Sequence, residues 1–447
     1  MRIKLLIFIF LILHLGLLYT FSFTAWPEML IRPYLMLKGY LPYKDFIMEH
    51  NPLLLFDIAL FNGIFGTGLL QLKIYSWILI ILTDIILFLV AKKLWNSKVA
   101  LFSLTFYIPM QLIYDGNGLW FDLVLAPFVL LIFYLLREKK YFWSGVIFAF
   151  SFLIKQTAFW FIFPISFYFL VDLKKRNFNR INLLFSGFII VILIFLTVLA
   201  FFGIAFHYFR WAIDYGIFIL PKSQAVTRLP SIKEFLVYFS PYFIFIPFFI
   251  LKKGKEKDLI FWSFFSLLGV FPRFELFHFQ PSIPFLSMVL GFIFFSYWKN
   301  KVIRLILMFY FTLFLILFGK IAAREWREED RFWGENERKI ALFVKSKVKE
   351  DEKIYVLNYW DSLYVMTNTL PAVKPLIPFL PWYLNYDNLK QSVINDLYLN
   401  MPRVIIKGDY NSFGLGSYML PEIDVMIERY YSLSYKIDSV SVFLLNQ

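Results

Sequence analysis

The side chains best equipped for chemistry are gathered in one stretch, "TAWPEMLIRPYLMLKGYLPYKDFIMEHNPLL", residues 24–54. Glu28 and Arg32 stand four apart and share a face if their segment is helical; Asp45 and Glu49 repeat that spacing. Carboxylates held against a bilayer beside cations suit the removal of a proton from a hydroxyl. The neighbouring cations, Lys44 among them, suit an anionic phosphate. The plainer alternative is a Pro- and Tyr-rich loop that only anchors at the surface.

The elements that must position these groups are read from composition and periodicity. The chain has 447 residues, 60% of them hydrophobic and only 17% charged. Soluble domains use about 45–50% apolar and about 25% charged residues, so the bilayer is this chain's main solvent. Spans of about 20 apolar residues, fewer where shielded, are predicted near 4–22, 70–91, 98–114, 118–136, 141–155, 157–172, 183–204, 232–251, 258–271, 279–297 and 302–320. The net charge of +14 does not point to nucleic acid. The basic residues fall in short clusters between apolar runs, "AKKLWNSK", "REKK", "LKKRNFNR", "LKKGKEK" and "YWKNKVIR". With the N-terminus inside, all of these clusters lie on the cytoplasmic side, where they meet anionic lipid heads. That alternation favours an odd number of spans, about eleven. The long connections, 23–69, 114–118, 205–231 and 272–279, then face outward, and "NPLLLFDIALFNGIFG" reads as an interfacial helix. Beyond about residue 321 dense charge appears, with a helical pattern in "EWREEDRFWGENERKIALFVKSKV" and strands in "KIYVLN", "PRVIIKGD" and "SVSVFLLNQ". The predicted fold class is a polytopic α-helical membrane protein, residues 1–320, with a small extracytoplasmic α/β domain, residues 321–447. No cysteine is present, which excludes disulfides and thiolate metal sites.

Four motifs in order carry a family resemblance. The pattern "G-x-x-PY-K/R-D-F … H/K-x-PL … FG" follows the first apolar segment. "LWFDLVLAPFVLLIFYLL" surrounds Asp122, "SGVIFAFSFLIKQTAFWFIFP" contains Lys155, and "RFELFHFQPSIPFLSM" contains His278. Over about residues 1–320 the chain resembles the GT-C superfamily of membrane glycosyltransferases, nearest the dolichyl-phosphate-mannose protein mannosyltransferases and aminoarabinose transferases. The resemblance implies transfer of a sugar, with inversion, from a polyprenyl-phosphate carrier to an acceptor hydroxyl outside the cytoplasm. The acceptor is a lipid, a glycan or a protein, and the location is the cell (plasma) membrane. It also implies a catalytic acid in the first outward loop, usually Asp. Here "AWPEML" offers Glu28 instead, with Asp45 as the other candidate. The family's Glu-Lys-Pro-Pro-Leu is matched by "EHNPL", which makes Glu49 and His50 neighbours of the carrier phosphate.

Elementary chemistry asks for the same parts. Leaving-group charge needs cations, and Arg32, Lys44, Lys155, Arg210, Arg273 and His278 all fall at or near the outward ends. Asp122, at a helix opening, suits a structural or substrate-orienting role. Asp84, deeper in an apolar helix, reads as an interior hydrogen-bonding group, and His14, on an apolar helix, as a satisfied packing residue. A divalent metal on His278, Glu275 and Glu49 is a weaker expectation. Two rivals belong to other classes: a transporter, flippase or polymerase for a lipid-linked glycan, and a scaffold that only binds polyprenyl lipid. A transporter would put its polar groups at mid-membrane, on broken helices in repeated halves; here they collect at one end, with no repeat.

Overall fold

The computed structural model describes residues 2–170, 178–222, 227–243, 257–377, 383–384, 386, 388–410 and 419–446. Among these, four helices are long and apolar enough to cross a membrane: Ile3–Thr20, Leu69–Leu94, Asn179–Phe201 and Lys301–Glu325. Shorter apolar helices include Ser97–Ile113, Tyr141–Ile154 and Ile283–Tyr297. Helices α1 (Arg2–Thr20), α2 (Pro27–Leu37), α3 (Leu53–Phe65), α4 (Leu69–Leu94), α5 (Ser97–Ile113), α6 (Phe121–Arg137) and α7 (Tyr141–Ile154) follow one another through the first third of the chain.

Helix α1 is apolar all round and exposes Phe8, Ile9, Ile12 and Leu13, a surface that only lipid can cover. One polar residue fixes it to its neighbours. His14, fully buried, lies with Nδ1 2.8 Å from Asp84 Oδ2 on α4 and Nε2 3.3 Å from Gln111 Oε1 on α5. Both deep polar residues are therefore interior partners of one another. Helix α7 meets the Asn179–Phe201 helix through two glycines. A Cβ on Gly145 would lie 1.9 Å from the Leu184 carbonyl oxygen, and one on Gly187 2.2 Å from that of Phe142. Small residues at such crossings let backbones approach where lipid supplies no hydrophobic drive.

Two stretches differ from the sequence expectation, and a third is described only in part. The 157–172 region is a 3-10 segment, Gln156–Phe161, followed by a short helix, Ile162–Tyr168, rather than one span; residues 171–172 lie outside the described residues. Within 205–231 the chain is helical rather than a plain connection, with eleven residues, Phe209–Ile219, in π conformation. The 232–251 region is helical from Ile232 as far as 243; residues 244–251 lie outside the described residues, as do 173–177 of the "LKKRNFNR" cluster and 251–256 of "LKKGKEK".

Toward the C-terminus, strands β1 (Lys353–Leu357), β2 (Leu370–Pro371), β3 (Val404–Lys407), β4 (Tyr431–Ile437) and β5 (Val440–Leu445) form one sheet in the order β2-β1-β3-β5-β4. The first three run parallel; β5 is antiparallel to both β3 and β4. Strands β1, β3 and β5 lie in the three segments read as strands. The segments on either side of β2 are bound directly to α2 and to the loop after it. The Tyr34 hydroxyl donates to Asn368 Oδ1 at 3.0 Å, and Leu376 exchanges backbone hydrogen bonds with Asp45 and Ile47, 2.9 Å each. Residues 40–50 are thus clamped between the helices and the C-terminal segment, which is what gives the loop a fixed shape.

Candidate active site

Pro27 opens α2 in the position where its missing N–H costs nothing, and the helix then carries Glu28 and Arg32 one turn apart. Together with the end of the clamped loop, α2 walls a cavity of about 200 Å³. Glu28, Glu49, His50, Lys155, Arg273 and His278 all line it. Trp26, Trp120 and Phe277 close one side, with ring centroids 5.0–5.5 Å apart.

The two carboxylates are built differently. Glu49 is buried, and its Oε2 accepts from the Tyr383 hydroxyl at 2.7 Å and from Arg32 Nη2 at 3.4 Å. His50 Nε2 is 3.5 Å from Oε1. Burial alone would raise this carboxyl, but Arg32, His50 and the Tyr383 hydroxyl together hold it at about 2. Its backbone carbonyl is also held, by Gln156 Nε2 at 2.8 Å. Gly216 passes so close that a Cβ there would lie 2.4 Å from that oxygen. Glu49 is a fixed, permanently ionised structural charge. Glu28 is the opposite case. Its Oε2 is shielded from solvent and has no hydrogen-bond partner among the described residues. Burial raises its pKa, and the Arg32 charge only partly offsets that. A carboxylate with a free, desolvated oxygen beside a cavity is a ready proton acceptor.

On the far wall, Lys155 Nζ donates to Asp122 Oδ2 at 2.6 Å, and His278 Nδ1 lies 2.7 Å from the same oxygen. Asp122 is 1% exposed and Lys155 4%, so this is a buried charge pair at the mouth of two helices. Burial and the neighbouring Lys155 lower the His278 pKa to about 4. The neutral ring then donates through Nδ1 to Asp122, leaving Nε2 as an acceptor. Arg273 is 3.7 Å from Glu275 through Nε and is 41% exposed, which leaves it the most accessible cation of the group.

Residues 49–201 match the model of the dolichyl-phosphate-mannose-protein mannosyltransferase family. No curated protein sequence matches significantly. The crystal structure of ArnT from Cupriavidus metallidurans bound to undecaprenyl phosphate is similar with a TM-score of 0.65 at 12% identity, over 99% of this chain and 97% of that one. Its apo state gives 0.64 at 11%, over 97% of each chain. The Archaeoglobus fulgidus oligosaccharyltransferase, tethered to an acceptor peptide containing an NVT sequon, gives 0.53 at 10%, over 100% and 74%. The chain carries the GT-C fold of membrane glycosyltransferases.

Not every predicted residue joins this GT-C cavity. Asp45 does not line it: the Asp45 side chain accepts from the Leu41 N–H at 2.9 Å and sits 3.6 Å from Lys374, holding the loop to the C-terminal segment. Lys44 is exposed and is not among the lining residues either. Arg210 lies over the Trp211 and Tyr386 rings, 5.7 Å from each centroid. Arg32 stands behind the carboxylates as their counter-ion. The His278, Glu275 and Glu49 set does not form a metal site, because Glu275 faces Arg228 and Arg273; among the described residues no group of three His, Asp or Glu side chains is arranged to hold a metal. Sequence reasoning missed Tyr383, Trp26 and Trp120. The two tryptophans lie within the "AWPEML" and "LWFD" motifs themselves; Tyr383 had no signal at all.

These environments set a pH dependence. His50 is held near 4, below its ordinary 6.5, by burial and by Lys155 and Arg32, with Glu49 opposing. Above pH 6.5 both folded and unfolded states are neutral there. As pH falls from 6.5 toward 4 the unfolded chain takes up a proton that the folded one refuses, at His50 and equally at His278, so stability is lost. Glu49 follows between 4.5 and 2. Thermal unfolding in micelles should therefore weaken from about pH 6.5 downward, and His50→Gln should flatten part of that loss. A stability independent of pH between 7 and 5 would mean that these histidines take up protons in the fold as readily as in the unfolded chain.

Proposed function

We propose that this GT-C protein is an inverting glycosyltransferase using a polyprenyl-phosphate sugar, with its cavity on the outer face of a membrane crossed about eleven times from a cytoplasmic N-terminus. The observation that carries the reading is the unpartnered, desolvated Glu28 oxygen in a cavity that Lys155 and Arg273 also line. In this reading the acceptor hydroxyl attacks the anomeric carbon. Its proton passes to Glu28 Oε2, and the carbon–oxygen bond to the carrier breaks with its electron pair leaving on the phosphate. Arg273, with Lys155 and His50 behind it, stabilises the charge that develops there. The undecaprenyl phosphate bound in the structurally similar ArnT supports a carrier of that kind.

Native mass spectrometry of gently solubilised protein tests this. A co-purified polyprenyl phosphate bearing one sugar is expected, and it would name the sugar. A diphosphate-linked oligosaccharide would replace the reading with a flippase or a polymerase.

A further inference from the structure

A second cavity, of about 350 Å³, lies beside the first, and one short segment separates them. Arg273, Phe277 and His278 line the Glu28 side, while Glu275 and Leu276 line the other. The second cavity carries charges of both signs, paired in two clusters. Arg331 reaches Asp115 at 3.3 Å and Glu325 at 2.8 Å. Arg228 reaches Glu234 at 2.5 Å and Glu275 at 3.4 Å, with its guanidinium over the Phe274 ring.

The chemistry of this wall selects its ligand class. Three guanidiniums, counting Arg324, face four carboxylates, Asp115, Glu234, Glu275 and Glu325. A phosphate would find every cation already engaged and the balance negative, so an anionic carrier headgroup is disfavoured. An isoprenoid chain would strip these charges of water without compensation. A hydroxyl is different, because it donates and accepts at once. Guanidiniums in pairs keep N–H donors to spare and carboxylates keep lone pairs. The Tyr238 and Phe274 rings supply apolar faces for the C–H sides of a ring. The volume falls within the range of small-molecule sites.

We propose that the cavity between Asp115, Arg228, Glu275 and Arg331 binds a neutral sugar unit, and that this sugar belongs to the acceptor, held beside the Glu28 cavity across the Arg273–His278 wall. The sugar site stands on the cavity alone; its assignment to the acceptor rests on the glycosyltransferase reading.

The test uses the full chain in nanodiscs and saturation-transfer NMR with glucose, galactose, mannose and N-acetylglucosamine. At least one sugar should give a signal in the wild type and in Glu28→Gln, and inorganic phosphate should not compete with it. Ile321→Trp, which fills the cavity, should weaken that binding at least tenfold. If that variant fails to fold, Glu234→Gln combined with Arg324→Gln should lower binding instead. No signal from any of the four sugars, or an equal signal in the filled or charge-deleted variant, overturns the sugar site. Competition by phosphate overturns the ligand class. Sugar binding without transfer in the wild type would keep the site and remove the glycosyltransferase reading; transfer without sugar binding would do the reverse.

Discussion

Glu28→Gln should lower sugar transfer by about 10²–10⁴-fold, the usual contribution of a positioned general base, with little change in donor binding. The substitution keeps the shape of the side chain and removes only its capacity to take a proton. The Glu28 oxygen has no partner among the described residues, so the exchange breaks no hydrogen bond to that atom. It also removes a carboxylate that burial already disfavours, so stability should hold or rise. Because burial raises the pKa of Glu28, the wild-type rate should climb with pH as the base ionises. That limb should vanish in the variant. Asp45→Asn makes the contrast: Asp45 holds the Leu41 turn and faces Lys374, so its loss should loosen the loop and cost transfer less than tenfold. Transfer within tenfold of wild type in Glu28→Gln would move the base elsewhere, with Glu49 the next carboxylate in the cavity.

The contrast between Glu28 and Asp45 also marks how far the sequence could be read. Spacing put Glu28 and Arg32 on one helical face because period 3.6 is local, and α2 obeys it. The same spacing from Asp45 to Glu49 failed as evidence of a shared face, since no helix forms there: a turn over residues 43–45, with Tyr43 at a positive φ of 66°, leads into non-helical backbone. The quoted motifs around Asp122, Lys155 and His278 come together because each opens or closes a helix at the same end. Tyr383 could not have been foreseen. Its hydroxyl meets Glu49 across 334 positions, and no periodicity encodes a contact made by a folded C-terminal segment. Helix boundaries were legible where capping or a tight turn ends the pattern, as at Asn96 before α5, whose side chain accepts from Lys98 and Val99 N–H groups. They were illegible around Gln156–Tyr168, a nearly continuous apolar run, and around Phe209–Ile219, where Arg210 and Asp214 break the run and read as a connection; neither pattern hints at 3-10 or π winding.

The charge pair on the far wall yields the second large effect. Asp122→Asn should cost about 3–5 kcal/mol of stability, because Lys155 would keep its buried ammonium without a counter-ion. It should also lose transfer, since the amide oxygen left to His278 Nδ1 and Lys155 is a neutral and weaker acceptor than the carboxylate that fixes both. Either loss alone could be trivial misfolding, so the double variant decides the matter. Replacing Asp122 with Leu and Lys155 with Met together removes both charges, and apolar replacements of a buried pair are commonly neutral or stabilising. Thermal stability should therefore return in Asp122→Leu/Lys155→Met. Transfer should not, because the cavity has lost the lysine that backs Arg273 on the leaving-group side. Recovery of both would reduce the pair to a strut between α6 and the end of α7, and the phosphate would then rest on Arg273 and His50 alone. Recovery of stability without transfer separates the two roles: the aspartate holds the lysine in place, and the lysine meets the departing phosphate.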